Sequence, residues 1–247
     1  MAMTDIEHDD HGDSHGDDHA GGHHETPESR DQKERMALWL LIAGDGLFLV
    51  LEIFVWFYLR ALNTNGGWIF AKCTTAIANA QPGSSRNLCT NGLANVANSA
   101  NTAITAPIPK ADPTWGIIVA VLIVVAALLA WGAERASRER GGRGAIGGLG
   151  ALFFVFVLAS IVMQVVQFQE LPFTTVDGAY ASTYEFFMGS TLAHLLLVGF
   201  IAYGLWHRAQ KNMYADGRYY RLRIIRIFTV WVAVSTIILV GVSALFY

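Results

Sequence analysis

Apolar residues in this chain gather into five long runs, over 36–59, 115–132, 145–169, 183–206 and 227–247, separated by polar or basic stretches. A helix rising about 1.5 Å per residue needs roughly 17–25 such residues to cross the hydrocarbon core of a bilayer. No run alternates apolar and polar positions as a barrel strand would. Too little chain remains for a separate soluble domain. The pattern predicts an all-α fold, a polytopic membrane bundle of five transmembrane helices.

The flanks of the runs carry orientation information, because Lys and Arg are retained on the cytoplasmic side. Thirteen of the seventeen basic residues fall before the first run, between the second and third, or between the fourth and fifth. The other four, Arg60, Lys72, Arg86 and Lys110, lie on the opposite side. This places the N-terminus in the cytoplasm and the C-terminus outside. The segment 63–113 is then an external loop, and it contains both cysteines, Cys73 and Cys89. An oxidising exterior allows these two to pair as a disulfide; the alternative is two free thiols. No cleavable leader is expected, since the first apolar run is too long for a signal-peptide core. The first span is therefore read as an uncleaved anchor.

Composition agrees with the pattern. Hydrophobic residues make up 53% of the chain, and charged residues 15% against about 25% in an average soluble domain. Mean hydropathy is +0.37. A formal net charge of −3 excludes a basic nucleic-acid binder. Two cysteines are too few for a zinc ribbon or an iron–sulfur cluster. Six of the eight histidines sit in residues 1–25, interleaved with eight acids. His11, His15, His19 and His23 would share one face of a helix and could collect copper or zinc. Gly12, Gly16, Gly21 and Gly22 interrupt any such helix, and no apolar face would order it. Residues 1–35 are therefore read as a disordered His/Asp-rich tail preceding a membrane domain over 36–247.

An ionisable side chain inside a span costs about 2.5–3.5 kcal/mol to insert, so each one demands a partner or a purpose. Asp45 lies near the middle of the first span, and Glu52, seven residues on, falls on nearly the same helical face. Gln167 and Glu170 share a face near the outer end of the third span. The fourth span holds Glu185 near its outer end and His194 near its centre. A b-type haem needs two facing axial ligands, and the other membrane histidine, His207, sits at an edge. His194 is thus read as a polar interhelical contact. The intramembrane contact set is Asp45, Glu52, Gln167, Glu170 and His194, with no catalytic residue and no metal ligand. Gly144 and Gly148, four apart, are expected to permit close helix approach.

Taken together, these residues resemble subunit III of the haem–copper terminal oxidases, in a short five-helix form. The run Trp39-Leu40-Leu41-Ile42-Ala43-Gly44-Asp45-Gly46-Leu47-Phe48 is similar to that family's W-L-x-I-A-S-E-x-x-F segment. Gln167-Phe168-Gln169-Glu170-Leu171 is similar to its Q-x-x-E-aromatic ending, with Leu171 in the aromatic place, and the stretch from Ser182 through Gly199 to its S-x-F-F-x-x-T-G-x-H-x-x-H-V-x-x-G helix. Tyr219, Tyr220 and Trp231 sit roughly as in its closing helix. The resemblance covers about residues 35–62 and 114–247. Asp45 stands where the family has glutamate, and Thr191 where it has the first of two histidines. The W-H-F-x-D run of the last helix is absent, with Arg223 and Arg226 present instead. The family's first two helices, one wall of a lipid-filled cleft, have no counterpart.

The resemblance implies a non-redox accessory subunit in a bacterial plasma membrane. Partner subunits would hold the haem and copper, with subunit I the main contact, subunit II another, and structural phospholipid a further ligand. Asp45 and Glu170 are then assigned to intramembrane hydrogen bonds, with His194 a partner for one of them. Two alternatives stand beside this reading. One is a self-contained proton-coupled transporter using Asp45, Glu52 and His194, against which stands the lack of inverted repeats or broken helices. The other is the equivalent subunit of a quinol oxidase or a nitric-oxide-reductase complex.

Overall fold

The computed structural model describes residues 27–62, 68, 110–139, 143–211, 213–214 and 220–246. Five long helices account for nearly all of them: α1 Pro27–Leu62, α2 Pro113–Arg138, α3 Arg143–Gln169, α4 Ala179–Gln210 and α5 Tyr220–Leu245. All five are long and apolar enough to cross a membrane, and there is no strand among the described residues. The chain is a multi-pass helical membrane protein. Each expected span lies largely within one helix, but the helices run further into the polar flanks. α1 begins at Pro27 rather than Met36, so its first turns come from the segment expected to be disordered. Cys73, Cys89 and the tail histidines lie outside the described residues.

Helices α2 to α5 form a closed ring in which α2 packs on α3 and α5, and α4 completes the circuit between them. The ring is tight because small side chains line it. The buried stripe of α2 includes Gly116, Ala120, Ala126, Ala127, Ala130 and Ala133, recurring at helical spacing. Val119, Ile123, Phe153, Val157, Leu195, Val198 and Val232 interlock across it with no solvent exposure. The closest helix approach falls at Gly150, where a Cβ would stand 2.7 Å from a Leu205 methyl and 3.6 Å from the Trp206 Cα. Gly199 is next, with Ile161 3.0 Å from the same position. Gly144 and Gly148, the pair expected to do this, have nothing within 4 Å. They lie on the exposed face of α3, while Ile146 and Gly150 of the same turns are buried against the neighbouring helices.

Local chemistry sets the helix ends. Asp112 caps α2 by accepting from the Thr114 amide at 2.9 Å, with Pro113 in the first turn. The Thr114 hydroxyl and amide hold the Asp112 carboxyl below its usual range. Gly178, at φ 149°, turns the chain into α4 through a conformation that side-chain-bearing residues rarely adopt. At the basic end, Ser137 donates to the Tyr214 carbonyl at 3.2 Å. Burial pushes the Tyr214 phenol up from its ordinary value.

That same end carries an ion cluster that the sequence reading missed. Glu134, 1% exposed, accepts from Arg138 one turn on, and its other oxygen stands 3.0 Å from Arg226 Nη1 of α5. The Arg226 contact is an ion pair by distance and not an aligned hydrogen bond. Two guanidinium groups thus compensate one buried carboxylate, which locks α2 to α5.

α1 is different. It lies against α4 and α5 and is otherwise apart from the ring. Its far side presents Met36, Leu40, Leu47 and Leu51, each more than half exposed. Lipid tails solvate such a surface as well as protein does, so hydrophobicity alone does not hold α1 in place.

Two outcomes follow from this packing. Gly150→Leu forces Leu205 and the α4 backbone apart and should cost about 1–3 kcal/mol, whereas Gly144→Leu should leave thermal stability in detergent unchanged. Glu134→Ala, which removes the acceptor shared by Arg138 and Arg226, should lower stability by about 1–3 kcal/mol in the same assay.

Candidate functional site

The polar residues of the first span face inward, into the seam between α4 and α5. Asp45 and His194 are brought together: Asp45 Oδ1 lies 2.8 Å from His194 Nε2. Asp45 Oδ2 accepts from the Trp231 indole N–H of α5 at 2.5 Å. One carboxyl group thus joins three helices. The Trp231 ring also lies against α1 at the neighbouring Gly46, where a Cβ would stand 3.4 Å from it.

The proton inventory of this triad follows from its partners. His194 Nδ1 faces the Ser190 carbonyl at 2.7 Å, and a carbonyl only accepts, so Nδ1 carries hydrogen. Nε2 then donates to an ionised Asp45 from an imidazolium, or accepts from a protonated Asp45. Both arrangements hold the same number of protons and no net charge. The pair therefore sits within the membrane without an uncompensated ion, at side-chain exposures of 18% for each partner.

Glu52 lies two turns along α1 and is 2% exposed. Its Oε1 has no hydrogen-bond partner among the described residues. It shares a small cavity with Asp45, Ser190, His194 and Ser235, so the two acids occupy one face, as their spacing predicts. The Ser190 hydroxyl stands close to the Glu52 carboxyl without the alignment of a hydrogen bond.

A second polar row crosses the ring nearer the α2 N-terminus. Gln164 donates to Gln167 at 3.1 Å, and Gln167 donates to the Tyr184 hydroxyl at 3.0 Å. All three are buried. Gln167 thus makes an intramembrane contact as expected. Glu170 does not join it: it lies just past the end of α3 and is exposed. Glu185, half-buried, is bonded to the Thr175 hydroxyl instead of to another span.

An aromatic cluster closes this end. Trp56 is fully buried, stacks on Phe187 at 5.0 Å and meets Tyr180 edge-on at 5.6 Å. Its indole N–H donates to the Phe246 carbonyl at 3.1 Å, and Arg60 donates to the same oxygen at 2.9 Å. α1 is therefore pinned to α5 at a second level. Among the described residues no three His, Cys, Asp or Glu side chains gather as a metal site requires. Comparison of the sequence with protein-family models and with curated proteins found no match.

Removing the carboxyl should release α1. Asp45→Ala and His194→Ala, combined in a double-mutant cycle in detergent unfolding, should show a coupling of about 0.6–2 kcal/mol. Asp45→Asn keeps an acceptor for Trp231 and a donor for a neutral His194, and should lose less than half the stability that Asp45→Ala loses.

Proposed function

We propose that this chain is a non-redox accessory subunit of a haem–copper terminal oxidase, of the subunit III type, in a bacterial plasma membrane. In this role it packs on the oxidase subunit I that carries the haem and copper, and contacts subunit II. It supports assembly and proton uptake and associates with phospholipid. The observation that carries the reading is the meeting of Asp45 and His194 at 2.8 Å. They come from two separate stretches, each read as a family motif on sequence alone, and they converge in one interhelical contact together with Trp231 of the closing helix. A carboxyl–imidazole pair satisfied by its neighbours, with both hydrogen-bonding nitrogens of the ring already engaged, suits a packing and proton-holding role better than a ligand role.

The exposed side of α1 bears on where a partner sits, since it is a surface on which further helices of the complex could pack. A quinol oxidase or nitric-oxide-reductase complex would use the same surface and differ in the electron donor, which docks elsewhere. The transporter reading draws on Glu52, whose buried Oε1 has no hydrogen-bond partner among the described residues, beside the Asp45–His194 pair.

Mild-detergent purification of the native chain from its own membranes separates these readings. The oxidase reading expects larger subunits and a haem absorption spectrum in the same peak. A colourless chain that purifies alone and moves protons in liposomes would overturn it.

A further inference from the structure

Two cavities lie inside the membrane region, one on either side of Thr191. The first, between α1, α4 and α5, is lined by Glu52, Ser190, Asp45 and His194 and offers about 10 Å³ to water centres. The second, about 20 Å³ by the same measure, is lined by Gln164, Gln167 and Tyr184 and reaches Pro113 and Ser243 at the end of the bundle. Thr191 and Leu239 border both. A buried water needs roughly 10–15 Å³ of such space and two to four polar partners. Both sites meet that need, and the first contains two polar atoms, Glu52 Oε1 and Ser190 Oγ, that make no hydrogen bond among the described residues. Thr191 donates to the Phe187 carbonyl at 2.9 Å, which leaves its oxygen lone pairs to accept from water on either side.

We propose that ordered water fills both cavities and links Glu52, past Thr191, to the Gln164–Gln167–Tyr184 row. Glu52 is then a neutral carboxylic acid that exchanges its proton with the aqueous phase at the α2 N-terminal end of the bundle. An ionised Glu52 would leave a charge in hydrocarbon with no cation against it. The titratable groups lining its cavity are Asp45 from its own helix and His194 from α4, while α5 contributes Ser235 and Leu239. The first two satisfy each other as a neutral pair, so neither offers Glu52 a net positive charge. The step balances simply: the acid gives its proton to the cavity water, which passes it from water to water past Thr191, and the carboxylate takes one back through the same water. Thr191 and the amides hold that water in place and carry no proton themselves. The inference concerns this chain's interior and does not depend on which complex the chain joins.

Infrared spectroscopy of the full chain in lipid, with whatever copurifies, tests it. The native protein should show a carboxylic-acid C=O band that is absent in Glu52→Gln and shifts within minutes of transfer to D2O. Thr191→Val, which keeps the volume but removes the bridging hydroxyl, should slow that shift at least about tenfold, an added barrier of about 1.4 kcal/mol. Gln164→Leu, on the far side of Thr191, should slow it likewise and serves if Thr191→Val fails to fold. The absence of a Glu52-dependent acid band would overturn the proposal. So would a band that remains unshifted for hours in the native protein, or exchange indifferent to both variants.

Discussion

The architecture depends on a constraint particular to α1: most of its surface is apolar and faces outward, and in a bilayer apolar surface does not drive one helix onto another. Something directional must hold it. The Asp45 carboxyl supplies that by bonding to His194 of α4 and Trp231 of α5 at once, inside a medium where an unbonded carboxyl is costly. Near the other end of the helix, Trp56 and Arg60 converge on the carbonyl of Phe246. Between these two levels lies Glu52, facing the same seam. α1 is thus a helix attached by polar groups to a ring held together by packing.

The ring itself follows different physics. Alanine and glycine along α2, and the close approach at Gly150 and Gly199, bring backbones near enough for dispersion to accumulate over many contacts. Its polar groups are placed at levels: the Glu134 cluster at the basic end, the glutamine–tyrosine row towards the other. Each ties helices that packing has already brought together, and each therefore specifies register more than it supplies cohesion. The cavities beside Thr191 arise where the three-helix seam around α1 meets the ring, since side chains serving both cannot fill both.

How much of this was legible in the sequence depended on whether a feature is a property of one helix or of two. The five spans are single-helix properties, and apolar length marked them; only the ends moved, because α1 and α4 continue as helices through polar turns. The shared face of Asp45 and Glu52 follows from their spacing in one helix. That Asp45 would find a polar partner across the bundle follows from its cost in hydrocarbon, and His194 was among the few candidates. Trp231 as the second donor could not be read this way, because an indole is at home in a membrane and signals no need. Glu134 was overlooked beyond the end of an apolar run, although its spacing from Arg138 marks a helical ion pair. Glu170 failed in the opposite sense. Its spacing from Gln167 is right, but the helix ends just before it, and helix ends are set by local competition that spacing does not record. Gly144 and Gly148 fit a packing pattern but lie on the face of α3 turned away from its neighbours.

The functional reading rests on the same contact as the fold. With Asp45 and His194 bonded across α1 and α4, the imidazole is engaged on both nitrogens, which is the geometry the proposed accessory role draws on. Solid-state NMR of the chain in lipid bilayers, with nitrogen-labelled histidine and carbon-labelled aspartate, measures this contact directly. The account predicts a through-space correlation between His194 Nε2 and the Asp45 carboxyl carbon, with Nδ1 protonated. A His194 Nε2 with no carboxyl carbon nearby, or one shifted by a bound metal, would contradict it.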